Sequence, residues 1–237
     1  MANLFSVEGI DGSGKSTQIR LIESYLKTIN LPVLVTREPG GTILGEAIRS
    51  IVKYPWLVIP EIEKIIKSNE ELIKESELMA NKRNKNISSE CEMFLFLASR
   101  AQFFKEIVKP ALDSGKYVFV DRLHDSTRAY QGGGRFKGDP AMRKFINLAN
   151  QIAMLNIKPK ATFFIDVSIE TSRQRINLCS SGKVATFEKE HDKFFTRIRQ
   201  EYLLIAQEEP ERFIVINGER RPEEIFEDIK KYLQRLI

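Results

Sequence analysis

The chain has 237 residues, of which 42% are apolar and 29% charged, and its formal net charge is +5. That is long enough for one sizeable core, with one or two domains open, while no apolar run approaches the ~20 residues of a membrane span and no basic region precedes an apolar stretch at the N-terminus. Cys91 and Cys179 are too few and too far apart for a disulfide framework or a zinc site, and together these features favour the cytoplasm. The positive charge suits either nucleic acid or small anionic phosphates. Basic residues are spread along the chain without a long cluster, which favours the phosphates over a nucleic-acid partner.

In chain order, Leu4-Phe-Ser-Val7 predicts a buried strand. It runs into Gly9-Ile10-Asp11-Gly12-Ser13-Gly14-Lys15-Ser16-Thr17, and a helical pattern of Ile19, Leu21, Ile22 and Leu26 follows to about Asn30. Strand, glycine loop and helix are the context of a phosphate-binding loop of the G-x-x-x-x-G-K-S type. Its backbone N–H groups and helix N-terminus face phosphate oxygens. Lys15 reaches the β- and γ-phosphates of a nucleoside triphosphate such as ATP, and the Ser16 hydroxyl ligates Mg²⁺. Val33 to Thr36 predicts a parallel partner strand, and Pro39-Gly40-Gly41 then forces a tight loop at its C-terminal end. That is the edge where open α/β sheets bind ligands, so Arg37 and Glu38 either face a substrate or form a solvated turn. A helix from Ile43 to Ile51 carries Arg49.

Residues 54–88 differ in character: a proline-bounded apolar piece, then amphipathic helical spacing, then a polar turn. They read as a helical insertion that covers the site, packs a subunit contact or is peculiar to one lineage. Ser89 with Glu92 fits a capping box for a long helix to about Leu112. Most of its aromatic residues belong to the core, but Phe96 and Arg100, at i and i+4, could hold a flat base. Tyr117 to Val120 predicts a third strand ending in Asp121-Arg122, the position of a Walker-B carboxylate that supports Mg²⁺. The polar, glycine-rich run from His124 to Arg135 predicts a site loop with a short helix. A helix over 140–157, a strand over Ala161–Ile165 and a helix from Ile169 to Leu178 with Arg173 and Arg175 come next. Ser180 to Thr186 predicts a lid, about residues 179–187. A helix from Phe187 to Gln207, a strand over Phe213–Ile216 and a final helix over Ile225–Leu236 complete the chain. The alternation predicts a single α/β domain over 1–237, a three-layer sandwich with a five-stranded parallel sheet flanked by helices.

The phosphate-binding loop, Thr36-Arg-Glu-Pro-Gly-Gly-Thr42, Phe96 with Arg100, Asp121-Arg122 and Ala129-Tyr-Gln-Gly-Gly-Gly-Arg135 together resemble thymidylate kinases of the bacterial type, within the P-loop nucleoside monophosphate kinases. The resemblance covers nearly the whole chain except 54–88. It implies transfer of the γ-phosphate of ATP to dTMP, giving dTDP and ADP, with Mg²⁺, in a homodimer. It implies that Phe96 stacks on thymine, that Arg100 bonds its O4, and that Gln131 and Thr127 meet the base edge. Tyr130 would lie where a 2′-hydroxyl would project, Arg122 and Arg49 at the dTMP phosphate, Glu38 between that phosphate and the metal, and Asp11 near the sugar.

The resemblance departs at the cations of the donor side. Some relatives carry an arginine where this chain has Gly12, and the bacterial type places arginines in the lid. Here the lid holds Lys183 alone. Arg175 or Lys183 is the expected partner of the transferred phosphoryl group, with Arg173, Arg197 and Arg199 nearby in sequence. The competing readings are a kinase of another nucleoside monophosphate or of a deoxynucleoside, a nucleotide-binding module with a degenerate lid, and a nucleic-acid-linked ATPase.

Overall fold

A computed structural model of the chain describes residues 2–68, 87–179 and 192–237. The five strands are β1 (Leu4–Glu8), β2 (Val33–Arg37), β3 (Tyr117–Asp121), β4 (Ala161–Asp166) and β5 (Phe213–Asn217). They form one sheet in the order β2-β3-β1-β4-β5, and every pairing is parallel. All five residues of β1 are buried, because a central parallel strand is covered on both faces and favours a continuous apolar run over alternation.

Residue parity divides the sheet between two helical layers. Phe5, Val7, Phe119, Phe163 and Ile165 pack against Ile19, Ile22 and Leu26 of α1 (Lys15–Thr28) and against Ile225, Ile229 and Leu233 of the C-terminal helix. Phe5 and Phe119, paired in register, stack at 4.7 Å between ring centres. On the other face Leu4, Val118 and Val120 meet Phe103, Phe104 and Val108, and Phe164 meets Phe195, Ile198 and Tyr202. Helix, sheet and helix thus form the three layers expected of the fold.

Several predicted elements change their bounds. Helix α2 runs over Ile43–Lys53 and α3 over Pro55–Lys67, so the start of the 54–88 segment is helical. The rest of its predicted helix, to Ala80, and its polar turn fall mainly on residues 69–86, outside the described residues. The long helix starts with Ser88, not Ser89, at its cap, whose hydroxyl accepts from the Cys91 N–H. Two adjacent serines offer the same capping chemistry, so sequence cannot choose between them. It runs as α4 (Ser89–Phe103), a π-helical turn (Phe104–Val108) and α5 (Lys109–Asp113).

The predicted loop over 124–135 is helical throughout: α6 (His124–Thr127) leads into a π-helical segment (Arg128–Arg135). Its glycines serve close approach here. A Cβ at Gly133 would lie 2.8 Å from that of Glu201, and one at Gly134 would lie 2.5 Å from the Phe194 ring. Both partners are on the helix that follows the lid segment. The remaining helices are α7 (Pro140–Ala153), α8 (Ile169–Cys179), α9 (Asp192–Glu208) and α10 (Pro222–Leu236). The predicted lid over 180–187 lies outside the described residues. Among the described residues no helix is long and apolar enough to cross a membrane.

Candidate active site

The C-terminal ends of β1, β2 and β3 open into a cleft of about 660 Å³. The glycine loop forms one end, and Phe96, Arg100, Thr127, Tyr130 and Gln131 line the other; Glu38, Arg49, Asp121 and Arg122 lie along it. Every substrate-side residue predicted from the sequence therefore borders one continuous space, as do Asp11, Gly12, Gly14, Lys15, Ser16 and Thr17 of the loop.

Within the loop, Gly12 has φ +78°, and a Cβ there would meet the Ser172 carbonyl at 2.5 Å. No side chain fits that position in this backbone, an arginine least of all. Lys15 is buried and donates to the Ile10 carbonyl at 2.9 Å. Burial and the neighbouring Arg122 lower its pKa to about 8, against the opposing pull of Asp11, Asp121 and Glu8. The Ser16 hydroxyl donates to Asp121 at 3.3 Å. One hydroxyl and one carboxylate oxygen side by side at a phosphate loop are a donor set that fits Mg²⁺.

Arg122, at φ +66°, bridges the two ends of the cleft. It donates to the Gly9 carbonyl at 2.7 Å and to Asp11 at 2.6 Å, and its guanidinium lies 5.0 Å from the centre of the Tyr130 ring. Burial opposes its charge, but Tyr130 and Asp11 beside it outweigh burial and raise its pKa. Burial likewise opposes charge on Asp11, where Arg122 and Lys15 prevail and the pKa lies below the ordinary value.

Arg100 is 2% exposed. It donates to Glu38 at 3.0 Å, Thr127 at 2.8 Å, Asn150 at 2.5 Å and the Leu123 carbonyl at 3.2 Å. A guanidinium has five N–H groups, so four are held by protein and one is left for a ligand. Arg100 is thus built into the wall as well as lining it. The other oxygen of Glu38, Oε1, lies 3.0 Å from the same Arg100 Nε, so both carboxylate oxygens face the guanidinium. Burial raises the Glu38 pKa despite Arg100. Glu38 is thus a buried ion-pair partner of Arg100 that also lines the cleft. Arg49 donates to the Pro39 carbonyl at 3.0 Å, across the cis Glu38–Pro39 peptide.

Four arginines were candidates for the donor-side cation. Arg199 is held by Asp166 at 2.6 and 2.8 Å, Arg197 donates to the Gly134 carbonyl, and Arg173 pairs with Asp192. Arg175 alone of the four lines the cleft; it donates to the carbonyls of Ser13 and Gly218, beside the glycine loop. Lys183 lies outside the described residues.

The sequence reading missed Glu8 and took Glu92 only for a helix-capping residue. Glu8 ends β1 fully buried and accepts from the Leu123 N–H, Ser126 and Tyr202. A charged residue closing an apolar strand next to the loop was the available signal. Glu92 accepts from Gln131 at 2.8 Å and from Arg135. Its partners are about forty positions away, and no spacing rule connects them.

The thymidylate kinase family model matches residues 7–58 and 68–229. A thymidylate kinase of Pelobacter propionicus is 35% identical over 233 residues, covering 97% of this chain and 92% of its own. One from Thermosipho africanus is 36% identical and covers 96% of each chain. The crystal structure of thymidylate kinase from Ehrlichia chaffeensis matches with a TM-score of 0.67 and 30% identity, over 98% of this chain and 97% of that one.

Proposed function

The chain belongs to the thymidylate kinase family and transfers the γ-phosphate of ATP to dTMP, and we propose that the residues of the cleft divide this work as follows. The loop from Gly9 to Thr17 binds the β- and γ-phosphates of ATP, with Lys15 as the fixed cation. Ser16 and Asp121 hold Mg²⁺, which when bound offsets charge on the phosphate oxygens. Phe96 stacks on thymine, Arg100 offers its remaining N–H to O4, and Thr127 and Gln131 meet the base edge. Tyr130 closes the space at C2′. Arg122 and Arg49 hold the dTMP phosphate, Asp11 lies near the sugar, and Glu38 lies between that phosphate and the metal site.

The observation that carries this reading is the position of Arg122. One guanidinium is bonded to the phosphate loop and packed on Tyr130, so the acceptor phosphate it would bind is set against the donor. Phosphoryl transfer between two anions needs alignment and positive charge more than covalent help, because the acceptor is already a phosphate. Arg175 supplies the cation at the transferred group, with Lys183 in reserve on the lid over about 179–187.

A coupled ADP-release assay with dTMP, dUMP, UMP, CMP and AMP tests the acceptor side: dTMP is expected to dominate. Arg175→Ala tests the donor side, with kcat expected to fall at least about tenfold at nearly constant KM. A rise in KM with kcat unchanged would reassign Arg175 to ground-state binding.

We further propose a homodimer, with 1–237 acting as one domain in each copy. Phe94 on α4 and Phe145, Leu148 and Ile152 on α7 are 41–68% exposed on neighbouring helices, and Phe94 packs edge-on against Phe145. An apolar patch of this kind suits a second copy of the chain. Sedimentation as a monomer at micromolar concentration would remove that proposal. The cytoplasm as its compartment rests on cysteine usage, and cell fractionation checks it.

A further inference from the structure

We infer that Glu92 is a positioning residue for base selection: it fixes the side-chain amide of Gln131 with its carbonyl turned to the cleft, so that the site accepts a base carrying a hydrogen at N3. The inference rests on the reading of Gln131 as a contact to the base edge.

Glu92 lies on α4 one turn before Phe96, is 5% exposed, and sits behind the cleft wall. Arg135 clamps it through two parallel bonds, Nε to Oε1 and one terminal nitrogen to Oε2, each 3.1 Å. That fork holds a carboxylate in one plane. Gln131 Nε2 donates to the same Oε1 at 2.8 Å. Gln131 is 1% exposed as a residue and lines the cleft.

A primary amide has a donor end and an acceptor end of nearly the same shape. Left alone at a binding surface, it turns over to suit whatever base arrives and so discriminates poorly. A carboxylate locked by arginine accepts and cannot donate. If Gln131 turned over, its carbonyl would face a carboxylate oxygen inside the wall, and neither could be satisfied there. The Glu92–Arg135 pair therefore removes one of the two amide orientations. The end left for the cleft is the acceptor Oε1.

Thymine and uracil present N3–H, which this acceptor complements. Cytosine presents a bare N3 lone pair, which meets the carbonyl with like polarity, and its N4 amino group faces the remaining Arg100 donor in the same unfavourable sense. Rejection thus comes from a fixed mismatch, not from size. The device is blind to the 5-methyl group, so it separates thymine and uracil from cytosine and does not separate the first two.

The test compares kcat/KM for dTMP, dUMP and dCMP in the full-length enzyme, with ATP and Mg²⁺, for wild type, Glu92→Gln and Gln131→Leu. Where dCMP turnover is too slow, its inhibition constant against dTMP replaces it. Glutamine at 92 keeps the shape but can both donate and accept, which frees Gln131 to turn. The dTMP-to-dCMP preference is expected to fall at least about tenfold in Glu92→Gln, the value of about one hydrogen bond. The change should sit in the nucleotide KM, with the dTMP-to-dUMP ratio and the KM for ATP unchanged.

An equal loss on all three acceptors would make Glu92 a structural residue and overturn the inference. A preference kept in Glu92→Gln but lost in Gln131→Leu would overturn it while leaving Gln131 as a base contact. A preference kept in Gln131→Leu would overturn the reading of Gln131 itself. Should Glu92→Gln fail to give a cooperative melt, Arg135→Gln carries the test by releasing the clamp: the same ratio should shift in the same direction, and an unshifted ratio overturns the inference.

Discussion

Replacing Glu8 by glutamine probes the root of the phosphate loop. The Glu8 carboxyl is fully buried at the end of β1, where Oε1 accepts from the Leu123 N–H at 2.7 Å and Oε2 accepts from Ser126 at 2.6 Å and Tyr202 at 2.8 Å. Burial, with Asp125 nearby, pushes its pKa from 4.5 to about 7, against Arg122 and the hydrogen bonds. In the unfolded chain the group returns to its ordinary value. Its contribution to stability is therefore complete below pH 4.5 and is lost as pH rises through 7. Between pH 5 and pH 8 the loss integrates to roughly 2–3 kcal/mol.

Glutamine does not titrate and offers one acceptor oxygen instead of two, so Glu8→Gln adds a constant cost of about 1–3 kcal/mol at all pH. Urea unfolding of both proteins at pH 5 and pH 8 isolates the titrating part, because other groups cancel in the difference. Wild type is expected to lose roughly 2–3 kcal/mol of its advantage over Glu8→Gln on going to pH 8. A difference that stays constant across that window would refute the argument that burial holds this carboxyl partly protonated near neutrality.

Two further outcomes follow from the charges of the cleft. The phosphate-binding role proposed for Lys15 requires its protonated form, and with its pKa lowered to about 8 the kcat/KM for ATP should fall with a basic limb near pH 8; a limb near 10.5 would refute the burial argument. Arg100→Ala leaves Glu38 buried without its counter-charge, so chemical unfolding should show a loss of about 3–5 kcal/mol; it should also raise the KM for dTMP far more than that for ATP, and equal effects on both would remove Arg100 from the base site.

The sheet was legible because a strand buried on both faces writes itself as a short apolar run, and five such runs alternate with helical spacing. The glycine loop was legible because Lys15 and Ser16 follow it at a fixed offset. What stayed hidden depends on partners distant in sequence. Arg100 read as a base-binding residue from its offset to Phe96, yet Glu38, Thr127 and Asn150, up to 62 positions away, hold most of its donors. The π-helical turns were hidden for another reason: apolar spacing reports which face is buried, not which carbonyl each N–H bonds. The run Gly132–Gly134 read as loop because glycine permits a turn, whereas here it permits contact between two helical segments.

That contact has a mechanical consequence. Gly133 and Gly134 leave no clearance against Glu201 and Phe194, so the segment bearing Tyr130 and Gln131 is packed backbone-close against α9 from Phe194 to Glu201. Helix α9 is the first described element after residues 180–191. Phe194 and Glu201 on that helix abut the glycines directly, and Tyr130 and Gln131 of the same segment line the cleft. The wall that carries Tyr130 and Gln131 therefore has no play against α9, and any side chain larger than hydrogen at 133 or 134 would push the two apart.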